Sequence, residues 1–247
     1  MPGRLCSVCG ERLLSPHILA SAEGQILCPF CSRVEQQFSK AVAYGSYEGV
    51  LRELVHLLKY AGVRPAAGVL GRALAEAISI RELFPGDVSA SSPVLVVPVP
   101  LHRSRRRQRG FNHAELIARA AMKFLASDPR MVPMVIGQDV LERRRETQSQ
   151  IGLTIHQRQE NMRGAFAVKR AQEVNGREVL LVDDVYTTGA TVSECARVLR
   201  RAGASKVWVA TVARTLKMAS NYGGIKPALP VASVEFDKTP LGKAVAS

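Results

Sequence analysis

Thirteen residues, Val179 to Thr191 (VLLVDDVYTTGAT), constrain what this chain can fold into more than any other stretch. Four consecutive apolar residues, Val179 to Val182, suit a strand buried on both faces, as in a parallel sheet. Two carboxylates, Asp183 and Asp184, stand where that strand should end. Thr187, Thr188, Gly189 and Thr191 follow, small and rich in hydroxyls. Val192, Cys195, Ala196 and Leu199 then form an apolar stripe, with Ser193, Glu194, Arg197 and Arg200 off it, so a helix starts there. Gly203 is placed to close it. The first amides of such a helix have no internal partners and carry the positive end of its dipole, which makes a strand, a small-residue loop and a helix start an anion site. Gly189 permits close backbone approach, and the threonine hydroxyls add donors. No Gly-Lys-Ser/Thr closes the loop, which excludes a Walker A site. Ionised carboxylates accept hydrogen bonds from two adjacent hydroxyls, so acids beside a phosphate cradle spell a ribose 5-phosphate.

The chain has 247 residues, enough for one sizeable α/β core and a small accessory module. A formal charge of +13 points to anionic partners, either phosphorylated metabolites or nucleic acid. No apolar run is long enough to span a bilayer and the start has no secretory pattern, so a soluble cytoplasmic protein without membrane insertion is expected. Cys6, Cys9, Cys28 and Cys31 form two C-x2-C pairs, the spacing of a four-thiolate zinc ribbon. Disulfides are the rival reading, disfavoured by that compartment. His17 lies between the pairs without ligand spacing, and Cys195 reads as a small core residue.

Leu51, Leu54, Val55 and Leu58 give a helical face, with Lys59 near its end, placed either to complement the helix dipole or to reach the substrate. A second helix is expected from about Val69 to Phe84, ended by Pro85-Gly86, with a polar connector from Asp87 to Pro93. Val94 to Val99 reads as a buried strand leaving into Pro100, Leu101, His102 and a loop with five arginines between Arg103 and Arg109. That loop either holds pyrophosphate or is a solvated charge run, with Arg109 and Gly110 its strongest functional positions. A helix should run from His113 to Ala126 with Ile117, Ala121 and Phe124 facing in. The charged segment Glu142 to Phe166 reads as a lid, and Val207 to Val212 as a final strand. No element is expected beyond Arg214, and the residues after Lys238 read as a frayed tail.

The cysteine pairs, YEGVLRELVHLLKYAG, VPVPLHRSRRRQRGFNHAELIA, TQSQIGLTIHQRQENMRGAF and VLLVDDVYTTGAT occur in that order. The set resembles the ComF-type (GntX-like) competence phosphoribosyltransferases over nearly the whole chain up to about Arg214. The resemblance implies an α/β type I phosphoribosyltransferase-like domain (41–215), with a mainly parallel central sheet flanked by helices. A small zinc ribbon (1–40) would precede it and a partly disordered extension (216–247) follow. It implies binding of phosphoribosyl pyrophosphate (PRPP) and its transfer to an unidentified amine or base with release of pyrophosphate, associated with competence and use of external DNA. Asp183, Asp184, Val185, Tyr186, Thr187, Thr188, Gly189, Ala190 and Thr191 would hold the ribose and 5-phosphate. Pro100, Arg109 and Gly110 would serve the pyrophosphate side, with Mg²⁺ accompanying it and Thr147 to Asn161 near the lid; Lys59 is a further candidate for PRPP binding. Asp183, Asp184 and Arg109 are the catalytic candidates, and no strong general base stands out. The alternative is a DNA-uptake accessory protein that binds single-stranded DNA or a helicase-like partner, with PRPP as effector or vestige. One departure is visible: the family often has Gln after the Asn of Arg-Gly-Phe-Asn, where this chain has His113.

Overall fold

The computed structural model describes residues 5–13, 19–20, 24–80, 83–84, 92–147 and 155–215. Between the cysteine pairs, β1 (Leu19–Ala20) and β2 (Ile26–Leu27) pair antiparallel. There follow β3 (Lys40–Ser46), α1 (Gly49–Tyr60), α2 (Ala66–Ile80), β4 (Val94–Pro98), α3 (Arg103–Arg109), α4 (His113–Leu125) and β5 (Met134–Ile136). The second half holds β6 (Leu141–Arg143), α5 (Ile155–Met162), β7 (Phe166–Val168), α6 (Ala171–Val174), β8 (Glu178–Tyr186), α7 (Ala190–Arg201) and β9 (Lys206–Arg214).

Five strands form one all-parallel sheet in the order β3-β9-β8-β4-β5. Its unbroken apolar strands follow from burial on both faces. Val94, Val96, Leu180, Val182 and Trp208 meet Leu58, Leu70, Leu74, Ile78, Ile117 and Ala121 of α1, α2 and α4 on one face. Their neighbours Leu95, Val97, Leu181, Val207 and Val209 meet Cys195 and Leu199 of α7 on the other. The chain leaves β4 outward through α4 to β5, and leaves β8 in the opposite direction through α7 to β9. The reversal falls between the carboxyl ends of β4 and β8, the place where open α/β sheets bind ligands.

The ribbon shares this core. Cys6, Cys9 and Cys28 are buried in the same cluster as Phe38, Ala41, Tyr186 and Val209. Val8 accepts a hydrogen bond from the Ala41 amide (2.7 Å), which occupies the outer edge of β3. Arg214, at the end of β9, donates to the Cys9 carbonyl (2.5 Å) and to Glu11 Oε2 (2.6 Å), all three residues being buried.

Several expectations are revised. The arginine run is a helix, α3: His102 accepts from the Ser104 amide at its start, and Gly110 closes it with φ +76°. Arginine and glutamine are good helix formers, so a polar run ended by glycine was enough to wind it. Phe124 does not face in but is 46% exposed; Ala114, Ile117, Ala118, Ala121 and Leu125 form the buried stripe of α4. The second helix begins at Ala66, three residues early, and Pro85-Gly86, most of the connector and the stretch after Leu216 lie outside the described residues. The segment read as a lid is anchored at both ends: β6 pairs with β7, and Met162 of α5 is fully buried. Its residues 148–154 lie outside the described residues. No helix among the described residues is long and apolar enough to cross a membrane.

At the α2–α4 crossing, a Cβ on Gly71 would stand 2.4 Å from Ala120 Cβ and 2.8 Å from the Ala121 nitrogen. Gly71→Ala should therefore destabilise the fold by about 1–3 kcal/mol through overpacking, despite the better helix propensity of alanine. Urea unfolding reads this as a lower midpoint at unchanged slope. A variant as stable as wild type would contradict the crossing.

Candidate functional site

β4 stops at Pro98, opposite Val182, with the Val99 amide still bonded to the Val182 carbonyl (2.9 Å). β8 does not stop at the acids, as expected from sequence, but runs on to Tyr186, held by β9 through the pairs Asp183–Thr211 and Tyr186–Arg214. The two carboxylates thus sit beyond the point where the neighbouring strand departs, at the switch point of the sheet. Gly189 caps α7 in the left-handed conformation (φ +82°), and a Cβ there would meet Tyr186 Oη at 2.3 Å. Only glycine fits. The buried Tyr186 ring lies under the loop, with the Arg214 guanidinium 5.0 Å from its centroid. Val185 is partly buried against the other face, and Ala190 is buried in the first turn of α7.

Thr188 Oγ1 is buried without a hydrogen-bond partner among the described residues. A buried hydroxyl left unpaired is costly, and an anion at the start of α7 would supply its acceptor. The Thr191 hydroxyl lies 3.6 Å from Met162 Sδ, and the Thr187 carbonyl accepts from Thr215 (3.5 Å), so these two threonines are partly committed to the scaffold.

The acids are not equivalent. Asp184 is 4% exposed, and its Oδ2 lies 2.5 Å from Lys59 Nζ and 2.8 Å from His113 Nε2. Burial alone would push its carboxyl up, but Lys59 and then His113 overcome that and hold it well below the usual carboxylate range. Burial likewise acts to lower the Lys59 pKa, and Asp184 more than offsets it, so Lys59 stays charged. Asp183 Oδ1 accepts from the Asp184 amide (2.9 Å). Burial, and then the charge of Asp184, push its carboxyl up to about 6. One carboxylate is locked; the other is available.

Arg109 closes this arrangement from the α3 side. Its NH1 lies 3.3 Å from His113 Nδ1, and its guanidinium sits 5.2 Å from the Tyr60 ring centroid. Consecutive residues at the end of α1, Lys59 and Tyr60, therefore grip β8 and α3 respectively. His113 is the member that the sequence names only as a departure from the family's pattern. The cue was Asn112, which caps α4 through the Ala114 amide (3.1 Å) and so puts His113 at the first helical position beside the strand ends. Gly110, exposed, and Pro100, partly buried, lie on either side of α3. Pro100 lines a neighbouring cavity of about 240 Å³ with Arg103, Arg106, Asn112 and Arg143. Arg143 bonds the buried Thr147 hydroxyl.

Away from this crevice, Cys6, Cys9, Cys28 and Cys31 place their sulfurs within 4.8 Å of one another, with Cys9 and Cys28 3.6 Å apart. The edge of a tetrahedron with metal–sulfur bonds of about 2.3 Å is about 3.8 Å, so the four thiols could hold a metal ion. Cys195 is no part of this. Burial raises its thiol well above the ordinary range, which leaves it inert in the core.

The profile of the phosphoribosyl transferase domain matches residues 108–227, from the end of α3 to beyond β9. DNA utilization protein YhgH of Escherichia coli strain K12 is 30% identical over 219 residues, covering 86% of this chain and 91% of its own. Competence protein F of Haemophilus influenzae is 28% identical over 220 residues, with 85% and 90% covered. Competence protein ComFC of Bacillus subtilis matches at 28% identity over 110 residues, 44% of this chain and 39% of its own.

Opposite stabilities are expected for the two acid-to-amide changes. With its folded pKa raised to about 6, ionised Asp183 costs stability fully above pH 6 and not at all below about pH 4. Asp183→Asn should raise the melting temperature of ligand-free protein at pH 8, by an equivalent of roughly 1–3 kcal/mol, and leave it unchanged near pH 4. Asp184, depressed in the fold, stabilises above its unfolded pKa and loses this as pH falls. Asp184→Asn leaves Lys59 buried without a counter-charge and should destabilise by roughly 3–5 kcal/mol. Thermal melts at the two pH values decide it; equal effects of the two changes would refute the asymmetry.

Proposed function

The chain belongs to the ComF-type phosphoribosyltransferase-like family, and we propose that it binds PRPP between β4 and β8 and transfers its phosphoribosyl group to an amine or base. The observation that carries this reading is the buried Thr188 hydroxyl, unpartnered among the described residues, in a glycine-capped loop that opens α7 shortly after the Asp183 carboxylate. The α7 amides, Thr187 and Thr188 take the 5-phosphate, and Asp183 takes the ribose hydroxyls with Asp184 fixed behind it. In the reaction the bond from ribose C1 to the pyrophosphate oxygen breaks, and its electron pair leaves with pyrophosphate. The acceptor nitrogen supplies the pair for the new C1–N bond and releases its proton. C1 carries positive character at the transition state, and Arg109 offsets the charge growing on the leaving group. Mg²⁺ has no ready cage among these side chains: His113, Asp183 and Asp184 converge, but Asp184 Oδ2 already faces Lys59 and His113. An accompanying Mg²⁺ belongs to the diphosphate rather than to the acids.

Two relatives are named for DNA utilization and competence, and the five arginines of α3 favour a second reading in which this face also meets DNA. We infer a competence-associated role in the cytoplasm. Calorimetric titration with PRPP, alone and with Mg²⁺, tests the primary reading, and pyrophosphate release against a panel of amines and bases tests transfer. Arg109→Ala should weaken PRPP binding at least tenfold, whereas Arg105→Ala with Arg106→Ala should mainly flatten the salt dependence of DNA affinity, whose slope is about 0.9 per phosphate neutralised. No PRPP binding at millimolar concentration would end the enzyme reading; no DNA binding at low salt would end the second.

The four cysteines fit a structural zinc with a closed shell, which would hold the ribbon together and leave no open coordination position. Pure protein should carry one equivalent of zinc, and Cys28→Ser less than half of one. Because the ribbon is buried against the same core as α7, chelation should lower the main thermal transition rather than add a separate early one. An unchanged main transition after complete zinc removal would contradict this.

A further inference from the structure

We propose that His113 is a positioning residue that couples the two halves of the PRPP site, so that occupation of the diphosphate side strengthens binding on the ribose side and the reverse. This rests on the PRPP reading above and goes beyond it. The imidazole is the first residue of α4, 5% exposed, and it touches one group from each half: Arg109 at Nδ1 and Asp184 at Nε2. Arginine has no acceptor, so a hydrogen bond at this contact has Nδ1 accepting from Arg109, while Nε2 faces Asp184 Oδ2 at 2.8 Å. The two neighbours thereby demand one ring orientation. Asp184 is held in turn by Lys59, and the Arg109 guanidinium rests over the exposed Tyr60 ring, both on the last turn of α1. The result is a closed circuit of Lys59, Asp184, His113, Arg109 and Tyr60 that joins α1, β8, α4 and α3.

Such a circuit couples ligands through ordering. Arg109 is half-buried at the rim, and holding its long side chain in one rotamer has an entropic cost. A diphosphate bound to Arg109 fixes that rotamer, and the fixed guanidinium holds the imidazole in the orientation that braces Asp184 and, through the backbone, Asp183. A ribose arriving next meets carboxylates already set, and linkage makes the benefit reciprocal. An amide side chain also presents one donor and one acceptor, so glutamine can stand in the circuit, whereas alanine or phenylalanine cannot.

The experiment uses the full chain and two half-ligands, inorganic pyrophosphate and ribose 5-phosphate, titrated calorimetrically alone and with the other at saturation. The quantity read is the ratio of the pyrophosphate Kd without ribose 5-phosphate to that with it. Direct repulsion between the two anions enters this ratio equally in every variant, so the comparison isolates the circuit. The ratio should be about tenfold larger in wild type and His113→Gln than in His113→Ala, with each half-ligand alone bound within threefold of wild type. His113→Phe, which fills the buried space without either bond, should behave as alanine does and replaces it if the alanine variant does not fold. A ratio that is the same in all variants overturns the coupling while leaving the PRPP reading intact. Failure of both half-ligands and of PRPP to bind wild type overturns that reading, and the coupling with it.

Discussion

The buried contact of Lys59 and His113 with a single oxygen of Asp184 organises the rest of the molecule. Three elements far apart in sequence, α1, α4 and β8, deliver those groups to one point at the top of the sheet. Desolvating two charges there is unfavourable, and the attraction offsets it only because the geometry is close and a third partner joins. The apolar packing of Leu58, Ile117 and Val182 beneath that point is therefore as much a means of holding the ion pair as of burying surface. With Asp184 neutralised from behind, Asp183 is the acid of the pair whose ionisation the fold resists. Stability is spent there on a group that a ligand with hydroxyls would satisfy.

This arrangement explains how a chain of charge +13 keeps carboxylates at its centre. The cations are not uniformly spread around them. Lys59 is buried on Asp184, Arg109 stands one residue further out on His113, and Arg103, Arg106 and Arg107 of α3 are exposed. Charge density thus rises outward from a locally balanced core, which draws anions towards the crevice and leaves the acids free to choose a hydroxylated one.

The β8–loop–α7 unit was legible because each signal in it is local: an apolar run, a φ-positive glycine and a helical stripe within one segment. The cysteine cluster was legible for the same reason, ligand spacing being a property of the sequence itself. What could not be read was what long-range packing decides. Nothing in the sequence around Lys59 says that its ammonium meets Asp184 across the sheet top, and both readings of that residue had to stay open until the distance was known. His113 stands out in the sequence only as a departure from the family's pattern, whereas its contacts with Asp184 and Arg109 follow from packing at the start of α4. The winding of α3 was missed because charge was read as loop, although Gly110 was already marked. Hydrophobicity alone puts Phe124 inside, yet the buried line of α4 runs from Ala121 to Leu125 and leaves Phe124 beside it.

β3 is the outermost strand of its sheet, and such a strand is ordinarily a template on which another chain can pair. Val8 occupies that edge at Ala41, Gly10 presses on the same residue so closely that a Cβ would stand 2.9 Å from its carbonyl oxygen, and Arg214 ties Cys9 and Glu11 down from the next strand. The cysteine module is in this respect a guard on an exposed margin. Loosening it would uncover backbone donors together with an arginine stripped of its counter-ion. Damage to the cysteine module would accordingly expose a pairing edge and favour self-association between molecules.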